Sequence, residues 1–213
     1  MQLKLLSVNI ARPKIIATIE GKPVRSAIAK QPVSGSVFVT ANGIDGDEVG
    51  DPVAHGGPDK AVYAYPAGNW GWWEREIGLA CAPATFGENL TLEGADEDDI
   101  RIGDRFQWGE AILEVAQPRM PCFKFAIHTA KPEAPQVMMM SGKAGWYFRV
   151  LREGHSGPGF ARIFASGGPT VREASLARHN PAASPELIAL VHAAPGLAEN
   201  WRNALAKRLP SAL

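Results

Sequence analysis

Over about the first 165 residues, apolar and polar side chains alternate in short runs, and glycine or proline interrupts each run. A period of two with turn signals between is the signature of half-buried β-strands. The clearest case is Arg105-Phe106-Gln107-Trp108, then Gly109-Glu110, then residues 111–116. Glycine first in a two-residue loop predicts a hairpin closed by a type II′ turn. Further strands are predicted at 3–10, 14–19, 36–40, 61–65 and 146–151, and helices at about 69–79 and 135–140. The first strand stands where a signal peptide would need a basic region and a long apolar core, so the N-terminus reads as structure.

After Gly167-Gly168-Pro169 the period changes. Thr170-Val171-Arg172-Glu173 has the form of a capping box, in which the Thr170 hydroxyl and the Glu173 carboxylate satisfy free backbone donors at a helix start. Ser184-Pro185-Glu186 is a second start, with proline at the first helical position. Leu197, Trp201, Leu205 and Leu209 recur at helical spacing. The pattern therefore predicts a β-rich unit over residues 1–166 and a three-helix appendix over 167–213.

Composition narrows the function classes. The chain has 213 residues, with 22 Lys and Arg against 22 Asp and Glu. A neutral total disfavours binding to nucleic acid or to anionic membrane, both of which draw on a basic excess. It also favours a packing or dimerisation role for the helical tail over a helix-turn-helix DNA reader, and leaves a homodimer open. No run approaches 18 apolar residues, so no transmembrane helix is expected, and the reading is a soluble, cytoplasmic protein. Two cysteines are too few for a disulfide scaffold, a four-thiolate zinc site or an iron–sulfur cluster.

Three stretches could carry chemistry. In the first, residues 43–48 precede Asp51 and then His55-Gly56-Gly57-Pro58-Asp59-Lys60. Asp45 and Asp47 hint at a calcium loop, but Val49 stands where a third oxygen ligand belongs. Gly50, Pro52, Gly56 and Gly57 argue against a helix that would align Asp47, Asp51 and His55. What survives is a glycine-rich loop whose amides can approach a ligand, with Lys60 at hand for an anion. In the second, Phe86-Gly87-Glu88-Asn89-Leu90-Thr91, Glu88 and Asn89 supply polar groups at a turn, where local hydrogen bonding is their usual work. In the third, Gln117-Pro118-Arg119-Met120-Pro121-Cys122-Phe123-Lys124, two prolines stiffen the exit from a strand. Cys122 is then expected on a rigid loop between Arg119 and Lys124, cations that favour thiolate over thiol. Such a thiolate suits nucleophilic attack or ligation of a soft metal, and a small buried hydrophobe is the competing role. Cys81, between alanines, reads as packing. His128 and His155 are general acid/base candidates without a partner in sequence, and His179 and His192 fall in the tail. Met138-Met139-Met140 reads as core or flexible packing rather than a metal-binding methionine box, and the acidic stretch 93–99 as a solvated loop.

Taken together and in this order, these stretches resemble the MOSC family, and within it the YiiM-like branch. The resemblance runs through residues 26–30, 43–48, 55–66, 86–91, 102–105, 117–124 and 142–150, and through the three-helix tail. Phe123 stands where relatives often carry Trp or Tyr, and Gly159-Phe160 where many have Gly-Asp. The resemblance implies a mainly β (α+β) fold: a closed or nearly closed MOSC-type β-barrel with peripheral helices. It implies a molybdenum cofactor (molybdopterin), with Cys122 as the thiolate ligand to the metal. It places His55 and Lys30 near the cofactor cleft, and Gly56, Gly57, Asp59, Lys60, Glu88, Asn89, Arg119 and Lys124 on matching motifs. The expected activity is reduction of small N-hydroxylated bases or related compounds, a detoxification, with His55 the candidate proton donor beside Cys122. With neither a dinucleotide fingerprint nor cysteines for an iron–sulfur relay, the electrons are expected from an external reductase. A non-catalytic cofactor or sulfur carrier, and a metal-free thiol enzyme, are the competing readings.

Overall fold

The computed structural model describes residues 1–209, apart from the side chains of residues 53 and 54; the last four residues of the predicted tail lie outside that range. Thirteen strands are described: β1 Gln2–Ile10, β2 Lys14–Ile19, β3 Lys22–Ser26, β4 Gln31–Val33, β5 Phe38–Thr40, β6 Gly43–Ile44, β7 Val62–Pro66, β8 Leu90–Glu93, β9 Arg105–Trp108, β10 Ala111–Pro118, β11 Trp146–Arg152, β12 Gly154–His155 and β13 Phe160–Phe164. The α-helices are α1 Pro52–His55, α2 Trp70–Ile77, α3 Phe123–Thr129, α4 Ala134–Ser141, α5 Val171–His179, α6 Pro185–Ala193 and α7 Glu199–Ala206.

Seven strands close into a barrel in the order β1-β13-β9-β10-β11-β7-β8 and back to β1, with β4 added outside β1. Closure removes the free edges that an open sheet exposes. The nine-residue β1 makes closure possible by serving three partners in turn. Its start pairs with β13, its middle with β8 and its end with β4, with a register shift between Leu5 and Ser7. All barrel pairings are antiparallel except β7 with β8. The β9–β10 hairpin turns as predicted: Gly109 has φ 62°, and Glu110 is absent from the positive-φ positions, as a type II′ turn requires.

The interior is apolar. Val62, Ala64, Leu113, Val115, Trp146, Phe148, Phe106 and Phe160 fill it, and Phe106 stacks on Phe160 at 5.2 Å. The same cluster continues without a break into the tail through Val171, Ala174, Ile188, Trp201 and Leu205. Backbone bonds cross between the two: Val171 N–H donates to Ile100, and Ala198 N–H to Ala116. Both predicted caps are present. The Thr170 hydroxyl accepts from Glu173 N–H while the Glu173 carboxylate accepts from Thr170 N–H, and the Ser184 hydroxyl accepts from Leu187 N–H.

One expectation needs correction. The acidic stretch is not wholly solvated: Glu97 is fully buried and accepts from Asn69 Nδ2 at 2.8 Å and from Gly145 N–H at 2.8 Å. Burial pushes its carboxyl up, against those hydrogen bonds. Cys122 lies, as expected, on the short loop between β10 and α3. It is the N-cap residue of α3, a helix that its single seven-residue apolar pattern did not announce.

Candidate functional site

Strand alternation gives β7 and β11 two faces. Val62, Ala64, Trp146 and Phe148 point into the barrel, while Tyr63, Tyr65 and Tyr147 belong to the outer side. On that outer face lies a cleft of about 740 Å³, its open mouth included. Tyr63 and Tyr147 meet with ring centroids 5.0 Å apart and form part of its wall. The segment after β3, the turn around β6, the end of α1 and the turn before β8 close the rest.

Cys122 and His55, 67 positions apart, meet here with Sγ 3.8 Å from Nε2. Proline at 121 and the helix start at 123 fix the sulfur; one turn of helix, with His55 N–H donating to the Asp51 carbonyl, fixes the ring. Burial alone would push the Cys122 thiol up. The His55 hydrogen bond, the Arg119 charge and the Lys124 N–H outweigh it and bring the thiol down to about 7. Arg119 is itself buried, with its guanidinium 4.7 Å over the Tyr63 ring and 5.4 Å over Phe125, and it donates to the Phe86 carbonyl. Arg119 is thus held by aromatic faces, and no carboxylate forms an ion pair with it among the described residues.

Lys30 lines the cleft but is committed elsewhere. Its Nζ lies 2.5 and 2.6 Å from the Asp47 carboxylate oxygens. Asp47 also accepts from Asn89 Nδ2 at 2.8 Å and from Ala11 N–H at 2.7 Å. Burial lowers the Lys30 ammonium and Asp47 opposes it. Lys60 and Lys124 line the cleft too.

Other predicted positions lie apart from it. Asp59 pairs with Arg149 at 2.7 Å, and so ties the loop that carries His55 and Lys60 to β11. Glu88 is buried beneath the turn before β8, accepting from Ala84 N–H, Phe86 N–H and the Thr91 hydroxyl. Burial pushes its carboxyl up to about 7 against these bonds. Gly56 and Gly57 shape the His55 loop and are not part of the cleft wall; Gly87, with φ 70°, is, and a Cβ there would stand 2.6 Å from Ile28 Cγ1. His155 meets Phe38 of β5 edge to face, away from the cleft. In sequence Asp47 suggests a calcium ligand or a helix face shared with Asp51 and His55, and Tyr63 and Tyr147 fall in predicted strands. The alternation Val62-Tyr63-Ala64-Tyr65 carried the signal that the tyrosines face away from the core.

The MOSC domain model matches residues 51–162, and the model of the YiiM-like 3-alpha helix domain matches residues 169–212. The chain belongs to the MOSC family. This MOSC chain is 39% identical to the protein YiiM of Escherichia coli, over 94% of its own length and 91% of that protein's. A crystal structure of YiiM from Geobacillus stearothermophilus superposes with TM-score 0.80 at 33% identity, covering 98% of this chain and all of the other (100%). A protein named reductase from Gibberella moniliformis is 35% identical over 71% of this chain, which spans 27% of that longer protein.

MOSC domains are associated with molybdenum-cofactor binding. The donor set fits such a group. Among the described residues no cluster of three or more His, Cys, Asp or Glu side chains could hold a bare metal ion. One soft thiolate beside cationic side chains suits an anionic cofactor that brings further metal ligands of its own. No helix among the described residues is long and apolar enough to cross a membrane.

Proposed function

We propose that this MOSC protein is an oxidoreductase that uses a molybdenum cofactor to reduce N-hydroxylated bases or related N–OH compounds. The observation that carries the reading is Cys122: a thiol brought down to about 7, 3.8 Å from His55 and under the charge of Arg119, at a cleft. Its kinship to a protein named reductase agrees with the reaction type.

Cys122 would hold the metal through its thiolate, and Arg119 would keep that sulfur anionic. Lys60 and Lys124 would attract the anionic parts of the cofactor. When bound, the cofactor supplies the two electrons and the Lewis acidity needed to break an N–O bond. His55 presents Nε2 beside the sulfur and would deliver one proton to the departing oxygen while a second, drawn from solvent, goes to the nitrogen, so that the substrate leaves as N–H compound and water. The Tyr63–Tyr147 wall excludes solvent on one side. Two cysteines cannot form an iron–sulfur relay, so the electrons would come from a separate reductase.

The test is metal and pterin analysis of protein made in a host that synthesises the cofactor, with turnover of an N-hydroxylated base on an artificial electron donor. The parent protein should carry molybdenum and pterin and turn over. Cys122→Ser should lose activity and hold molybdenum more weakly while melting at the parent's temperature; full activity in Cys122→Ser would sink the assignment. The Cys122–His55 pair also suits a metal-free thiol enzyme, as in other cysteine–histidine nucleophiles. Thiol-dependent turnover by protein free of molybdenum and pterin would decide for that second reading.

A further inference from the structure

Glu88 is wholly buried between Gly87 and Asn89, two residues of the cleft wall, without belonging to that wall itself. Its two carboxyl oxygens accept from three donors. Oε1 takes the Ala84 N–H and the Thr91 hydroxyl, each at 2.8 Å, and Oε2 takes the Phe86 N–H at 3.0 Å. The Gly87 N–H donates back to the Ala84 carbonyl at 2.9 Å, so residues 84–87 form a tight turn braced from within. Phe86 is gripped at both backbone groups: its N–H faces Glu88, and its carbonyl accepts from the Arg119 guanidinium. Its ring is fixed as well, 3.6 Å from that of Tyr65 and 5.7 Å from that of Phe125 between centroids.

Arg119 lines the cleft together with Cys122, and its charge is one of the influences that lower that thiol. The faces of Tyr63 and Phe125 confine the guanidinium, but a ring face attracts a cation without choosing which N–H points where. A carbonyl acceptor does choose, because a hydrogen bond has a direction. It also carries no net charge. A carboxylate placed directly on Arg119 would hold it as firmly and would offset the positive charge near the sulfur. Glu88 instead grips the turn, and the turn presents a neutral acceptor.

Resting on the function proposed above, we propose that Glu88 is a positioning residue for Arg119. It fixes the turn that aims the Phe86 carbonyl, and through that carbonyl it keeps the guanidinium where its charge acts on the Cys122 sulfur. An amide in place of the carboxyl turns one of the two acceptor oxygens into a donor, which then faces the N–H of Ala84 or of Phe86 and opens the turn. The consequence at Cys122 has a diagnostic sign. By charge alone, loss of a carboxylate favours the thiolate; by position, it loosens Arg119 and disfavours the thiolate.

The experiment compares the full chain without cofactor as parent, Glu88→Gln, Arg119→Met and the double variant. The Arg119 side-chain N–H signals in NMR spectra of isotope-labelled parent, identified by their loss in Arg119→Met, should exchange slowly with solvent, and in Glu88→Gln several-fold faster. Alkylation of Cys122 by iodoacetamide at pH 7 should slow several-fold in Glu88→Gln and in Arg119→Met. With Arg119 already gone, Glu88→Gln should slow it no further, because the two residues act through one contact. Glu88→Asp keeps the charge but holds its carboxylate one methylene short of the turn. It should move both readouts in the same direction, and it takes the place of Glu88→Gln if that variant fails to fold. Arg119 signals equally protected in parent and Glu88→Gln overturn the positioning role. Alkylation of Glu88→Gln as fast as the parent's or faster does so too, as does an undiminished slowing when Arg119 is absent. Molybdenum retention in Cys122→Ser is read independently on cofactor-loaded protein, so the positioning role can fail while the proposed function stands.

Discussion

β7 and β11 carry two chemistries on one backbone. Their inward residues Val62, Ala64, Trp146 and Phe148 are fully buried in an apolar interior. One position along, Tyr63 and Tyr147 face a cleft lined by cations, a thiol and an imidazole. The interior asks for volume and shape, and the outer face asks for particular groups at particular places. Because the strand period is two, a single-residue step changes which demand applies. Substitutions at neighbouring positions should therefore fail in different ways.

The largest effect is expected inside. Phe148 touches Phe106 at 5.7 Å and Phe160 at 5.8 Å between ring centroids. Phe148→Ala leaves a cavity that the closed barrel cannot collapse, and should cost about 3–5 kcal/mol in denaturant unfolding. Next to it, Tyr147→Phe keeps the ring on Tyr63 and removes a hydroxyl that has no hydrogen-bond partner among the described residues. Its stability should stay within about 0.5 kcal/mol of the parent. Equal destabilisation by both variants would mean that the two faces do not carry separate demands.

The interior was also the more legible half in sequence. The hairpin at Gly109, strand β2 to the residue, and both tail caps followed from local rules, because turn chemistry and capping act within four or five residues. The β2–β3 hairpin escaped, although Glu20 at φ 50° and Gly21 at φ 75° close it; no apolar alternation marks β3. The site was legible in part. Cys122 stood out by its proline and cationic flanks, but its pairing with His55 spans 67 positions and depends on the barrel. Asp59 and Glu88 sit on recognisable motifs yet face Arg149 and backbone amides, a choice that only packing makes. Glu97 was hidden because nothing in an acidic run says which carboxylate turns inward.

Glu88 gives the intermediate effect and tests the boundary between the two regions. Its carboxyl is fully buried and raised from an ordinary 4.5 to about 7. Between those values the folded chain holds a proton that the unfolded chain has released. This group's contribution is therefore complete below 4.5 and is lost as pH rises through about 7. The span corresponds to about 3 kcal/mol. Unfolding free energies of parent and Glu88→Gln, measured from pH 4 to 8, should show the parent's advantage shrinking by about that amount toward neutral pH. A difference independent of pH would mean that the carboxyl is not held out of water beneath the turn.

The smallest effect is chemical rather than structural, and it isolates the outer face. The His55 hydrogen bond is the largest of the influences that lower the Cys122 thiol, ahead of the Arg119 charge. His55→Ala removes it and leaves Arg119, so the thiol should rise from about 7 toward the ordinary cysteine range without reaching it. Alkylation of Cys122 by iodoacetamide in cofactor-free protein should then slow several-fold at pH 7, and its pH profile should move to higher pH. Cys81 provides an internal control: burial pushes its thiol up to about 12, and His55 has no part in that. Because His55 lies outside the barrel, the melting temperature should not change. A His55→Ala variant with the parent's alkylation profile would leave Arg119 as the group that activates the sulfur, and would reduce the imidazole to a cleft wall.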